Sequence, residues 1–95
     1  MKTMTREGVQ KMICVLQCLE DQSKSLLTQG NLTAKEILLL ARGKYKDITL
    51  DDIDEALRVL MIPIFGLIQM QGVKYHAVGS VDSFKRLAKQ FYVYT

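Results

Sequence analysis

A mainly α-helical fold with a small β-hairpin is what these 95 residues predict. Three observations lead there. Apolar side chains recur at helical spacing in the first, middle and last parts of the chain. Two threonines, Thr33 and Thr49, stand where helix starts are needed. A glycine-led apolar run, Gly66-Leu67-Ile68, is separated from a second run by Gln71-Gly72.

The first helix spans about residues 5–21. Val9, Met12, Ile13, Leu16 and Leu19 keep the i, i+3, i+4 rhythm of a core-facing stripe. Cys14, Val15 and Cys18 widen that stripe beyond what one core needs, which points to burial on a second side by the last helix or by a partner subunit. Residues 22–31 are polar and end in Gly30-Asn31, a stop signal. Thr33 opens the second helix with a capping box, its hydroxyl accepting from the Glu36 amide while Glu36 reaches back. Residues 37–41 are apolar all round, as in a helix wedged beneath others, and Arg42-Gly43 close it. The linker at residues 43–48 is expected to expose Lys44, Tyr45 and Lys46.

Thr49 caps the third helix, with Asp51 and Asp52 near the positive end of its dipole. Ile53, Ala56, Leu57 and Leu60 form its buried face, and Pro63 marks its end. Residues 66–70 and 73–78 read as the hairpin strands. Ser80 or Asp82 then caps a last helix at about residues 82–92. Its stripe is Phe84, Leu87, Ala88 and Phe91, with Lys85, Arg86 and Lys89 on the wet side. The aromatic tail, residues 91–95, suits packing on another surface.

Length allows one domain, residues 1–95, with a modest core. No stretch reaches the ~18–20 apolar residues of a membrane span, and residues 59–68 are broken by Pro63 and Gly66. The first residues lack the apolar segment of a secretory signal, so a cytoplasmic, intracellular protein is expected. Cys14 and Cys18 share a helix face without a second pair or a nearby His for zinc, so buried reduced thiols are expected. His76, the only histidine, reads as a surface or wing residue. There is no Gly-rich phosphate loop, nucleophile elbow or paired His and carboxylate at ligand spacing. Neither enzyme activity nor a cofactor or metal is expected. The carboxylates at 51–55 lack the spacing and glycine of a calcium loop, leaving a solvated face favoured by the helix dipole.

Charge is unevenly spread. Between residues 47 and 58, Asp47, Asp51, Asp52, Asp54 and Glu55 oppose Arg58 alone, a net −4; a chain of net +3 therefore carries +7 elsewhere. The molecule is a basic body with one acidic ridge.

Residues 32–78, with two capped helices, the glycine-led strand and the tight turn, resemble the winged helix-turn-helix superfamily, whose members mostly bind DNA. The resemblance implies the order helix, short strand, helix, helix, strand, strand, helix, with Leu32 in a short strand that pairs with the wing. The five residues from Met61 to Phe65 before the strand glycine are more than the family commonly has. The implied function is a small DNA-binding transcriptional regulator. Its third helix would lie in the major groove, Arg58 reading guanine and Asp54 or Glu55 accepting from cytosine. Lys35, Arg42, Lys44, Tyr45, Lys46 and Lys74 would contact phosphate. Lys85, Arg86 and Lys89 offer a second route around the acidic ridge. A homodimer through the first and last helices is compatible with this. The alternative is a protein-interaction adaptor that holds a partner's basic segment with Asp51, Asp54 and Glu55.

Overall fold

Helix α1 (Arg6–Gln22) is the spine on which the other elements are assembled. Val15, Leu16 and Leu19 have no exposed surface, and α2 (Ala34–Ala41), α3 (Leu50–Met61), α4 (Val81–Phe91) and strand β4 (Lys74–Ala77) all pack on α1. The computed structural model describes the backbone of residues 2–4, 6–23, 31–63 and 65–94, and the side chains of 6–23, 31–63 and 65–89. Thr5 and the stop signal Gly30-Asn31 fall wholly or partly outside them. The widened apolar arc of α1 is covered by the chain itself: Cys14 and Val15 are buried and Cys18 is half-buried. That arc therefore carries no argument for a partner subunit.

The two middle helices start on matched caps. The Thr33 hydroxyl accepts from the Glu36 amide at 3.2 Å, while the Glu36 carboxylate accepts from the Thr33 amide at 2.9 Å. Thr49 and Asp52 repeat this at 3.2 and 3.0 Å, a reciprocity beyond the dipole role expected of Asp52. Helix α2 is not enclosed all round. Ile37 and Ala41 are buried, but Leu39 is 71% and Leu40 44% exposed, because only one side of α2 meets α1 and α3. The turn that follows is tightened by Lys44 and Tyr45 amides donating to the Ala41 carbonyl at 2.9 Å, and it plants Ile48 in the core.

The fold is mainly helical with a small three-stranded antiparallel sheet, ordered β2 (Leu32–Thr33), β4, β3 (Ile68–Gln71). Leu32 pairs with Tyr75 across β2 and β4, and Gln71 with Lys74 across the hairpin. The turn residues are thus Gly72-Val73, one step later than Gln71-Gly72. Gly72 has φ of 66°, the positive value that primed two-residue turns require at their first position. The extra residues before β3 fold into a turn in which the Ile62 carbonyl accepts from the Phe65 and Gly66 amides at 3.0 and 2.8 Å. This buries Phe65, whose ring centroid lies 5.3 Å from that of Phe84 on α4.

Helix α4 is capped twice. The Ser80 hydroxyl accepts from the Ser83 amide at 3.1 Å, and the Glu20 carboxylate of α1 accepts from the Val81 amide at 3.3 Å. Phe84 and Ala88 are fully buried and Leu87 is half-buried; the Phe91 side chain lies outside the described residues. The aromatic tail finds a partner that its sequence did not identify: β5 (Tyr92–Tyr94) pairs in parallel with β1 (Lys2–Met4).

Phe84→Ala is expected to cost about 3–5 kcal/mol, a large part of the roughly 5–15 kcal/mol that holds a domain of this size. Leu39→Ala is expected to change stability by less than about 0.5 kcal/mol. Urea midpoints of the two variants measure both, and a Leu39→Ala loss comparable to that of Phe84→Ala would contradict the placement of α2.

Candidate functional site

Helix α3 is buried along one side by Ile53, Ala56, Leu57, Val59 and Leu60, and open along the other, where Asp51, Asp54, Glu55 and Arg58 are exposed. This division follows from 3.6 residues per turn and the apolar positions. The hairpin docks at the C-terminal half of α3, where the Leu67 amide donates to the Leu60 carbonyl at 3.0 Å. Between helix and hairpin lies a cleft of about 400 Å³ lined by Asp54, Leu57, Arg58, Met61, Met70 and Tyr75. Met70 and Tyr75 are cross-strand partners, so they share one face of the hairpin. Asp54 and Arg58 stand one turn apart on the rim, yet they form no ion pair. An exposed pair at this spacing is worth only about 0.2–0.5 kcal/mol, too little to fix two mobile side chains.

The acidic ridge divides between two directions. Asp54 faces the hairpin, whereas Asp52 and Glu55 line a separate concavity of about 250 Å³ with Glu7 and Lys11 of α1. There the Lys11 ammonium bridges Asp52 at 3.3 Å and Glu7 at 3.4 Å. The Thr49 amide, the Lys11 ammonium and the Thr49 hydroxyl hold the Asp52 carboxyl below its ordinary value of 3.8, against the opposing effect of burial. Lys11 is raised above 10.5, chiefly by its hydrogen bond to Asp52.

The basic residues do not gather at one point. Lys35, Lys44, Lys46, Arg58 and Lys74 are exposed and, among the described residues, none is in an ion pair. Lys35 and Lys74 mark the start of α2, where Lys74 helps to lower the Glu36 carboxyl, itself held down mainly by the Thr33 amide. Lys44 lies at the other end, within electrostatic reach of Cys14 and Cys18; eight helical residues set the two groups about 12 Å apart. Two expected phosphate contacts also have structural work. Arg42 donates from Nε to the Ile48 carbonyl at 3.3 Å, bracing the turn. Tyr45 is half-buried and packed on the core, not exposed, because the Ala41-to-Tyr45 turn folds it inward. Lys85, Arg86 and Lys89 are exposed on α4, which packs on α1.

The cysteines are free thiols, and burial pushes Cys18 up to about 11, with Cys14 adding to the rise. A thiol so protonated is a poor nucleophile and metal ligand. His76 lies on hairpin strand β4, opposite Gln69, as a wing residue; it is half-buried, and its Nδ1 is closed off from solvent without a hydrogen-bond partner. Sequence reasoning missed the cleft itself: the pairing of Met70 with Tyr75 depends on a hairpin register that periodicity does not give.

Asp52 contributes stability that is fully present above pH 3.8 and is lost as pH falls through its depressed folded value. The stability difference between the protein and Asp52→Asn should therefore shrink between about pH 7 and pH 2. An equal difference at both ends, by denaturant unfolding, would refute the Asp52 arrangement. Comparison with known proteins gives no match: no family model, no curated protein and no solved structure is similar to this chain.

Proposed function

We propose that this chain is a winged helix-turn-helix protein that binds double-stranded DNA, with α3 at the major groove and the hairpin beside it. One observation carries the reading: α3 is open along a full side while a sheet ordered β2-β4-β3 seats the hairpin against its end. That is the arrangement by which such folds present a recognition helix. Arg58 reads a guanine edge from the open side, and Asp54 or Glu55 accepts from a cytosine amino group. Lys35, Lys44, Lys46 and Lys74 supply the phosphate contacts, each exposed and outside any ion pair among the described residues. The tie between Asp52 and Lys11 turns one carboxylate away from the duplex, which lessens the repulsion of the acidic helix. For a homodimer, the open Leu39 and Leu40 favour α2 over the first and last helices.

The cleft between α3 and the hairpin favours a second reading. A partner's basic segment would meet Asp54 on the rim while an apolar anchor rests on Met70 and Tyr75; of the other expected carboxylates, Asp51 lies outside this cleft and Glu55 lines the concavity beside Lys11.

Titration into a generic duplex separates the two. Four phosphate contacts should weaken affinity roughly 150-fold between about 50 and 200 mM salt. Lys44→Glu with Lys46→Glu should reduce it at least about tenfold with helicity unchanged. No binding at the lower salt would end the DNA reading and leave the adaptor one.

A further inference from the structure

On the opposite side of α1 from the Lys11 bridge, α1 and α4 form a groove of about 360 Å³ lined by Arg6, Val9, Gln10, Ile13, Lys85 and Lys89. We infer that this groove binds a small amphipathic anion, a carboxylate carried on a medium-length hydrocarbon chain.

Charge is the first ground. Arg6 enters from α1 and Lys85 and Lys89 from α4, while no carboxylate lines the groove among the described residues. None of the three is in an ion pair among the described residues. Lys85 and Lys89 stand one turn apart, a like-charge spacing that weakens a helix unless an anion relieves it. The floor is the second ground. Val9 is buried and Ile13 half-buried against the core, giving an apolar bed beneath the cationic rim. The volume falls within the range of small-molecule sites. A carboxylate head accepts from Arg6 and the lysines as charge-assisted bonds, the Gln10 amide can add a donor, and the chain covers Val9 and Ile13.

Other occupants fit less well. A DNA backbone would satisfy the cations but leave the open side of Ile13 in water. A second copy placed across a two-fold axis would set Arg6, Lys85 and Lys89 against their own equivalents. A stable protein partner buries about 800 Å² per side, whereas residues 6–13 of α1 extend only about 10 Å. The site is independent of the DNA reading: it uses neither α3 nor the hairpin.

The test uses the full chain and octanoate, with octanol and octylammonium as head-group controls, followed by amide chemical shifts and thermal midpoints. Octanoate should bind saturably with a Kd of about 1 mM or tighter, shifting amides of Val9, Gln10, Ile13, Lys85 and Lys89 and raising the midpoint. Octylammonium should do neither. Lys85→Glu with Lys89→Glu, both exposed positions, should keep the helical spectrum and weaken octanoate at least about tenfold. Octanol binding as well as octanoate would overturn the proposal, as would shifts centred on Met70 and Tyr75. The same holds for unaltered octanoate affinity in the folded double variant, or no saturation up to about 10 mM. Binding of a polyglutamate peptide without binding of octanoate would assign the groove to an acidic protein and equally overturn it.

Discussion

Burial of α1 over an arc of roughly 220°, from Cys14 through Val15, Leu19, Met12 and Leu16 to Val9, constrains every other element of the molecule. A helix buried over more than half of its circumference needs several neighbours, and a chain this short has few to give. Two short helices, one longer helix and the middle strand of the sheet are all used for that purpose. The result is that α2 and α3 can be covered on one side only. The open sides of Leu39 and Leu40, and of Asp54 and Arg58, are what remains after α1 has been enclosed.

Polar groups near this core are arranged to fix geometry more than to add stability. Each middle helix closes its first turn with a reciprocal threonine–carboxylate pair, and α4 takes the Glu20 carboxylate from the helix it packs on. Lys11 joins α1 to the start of α3 through the same Asp52 that serves the cap. A partly exposed ion pair contributes little by itself, but here it shares the Asp52 carboxylate with the bond donated by the Thr49 amide, one half of the capping box. The angle at which α3 leaves the linker is therefore set by side chains from both helices.

Much of this was legible in the residues. Helix starts at Thr33 and Thr49 follow from local capping chemistry, and the core positions of α1, α3 and α4 follow from a 3.6-residue period. The resemblance places Leu32 in a short strand beside the hairpin, and it pairs with Tyr75. What escaped was set by non-local geometry. Residues 37–41 carry no polar mark to show which side faces out, so the exposure of Leu39 depends on where α1 and α3 lie. Tyr45 is the local exception: short-range backbone bonds to Ala41 fold it inward, a turn geometry that the residue types of the linker do not mark. Arg6 belongs beside Lys85 and Lys89 only once α4 has folded back along α1, a distance in sequence that no local pattern spans. The division of the acidic ridge is of the same kind, since Lys11 lies 41 residues from Asp52.

The pairing of Lys2–Met4 with Tyr92–Tyr94 has a kinetic meaning. Joining points some 90 residues apart costs roughly 4 kcal/mol in chain entropy. A ladder of three residue pairs, at about 1 kcal/mol per hydrogen bond, does not offset that alone. The ladder must therefore wait until the docking of α4 has already drawn the two segments together. It behaves as a latch on a finished body, last to close during folding and first to release when the body loosens.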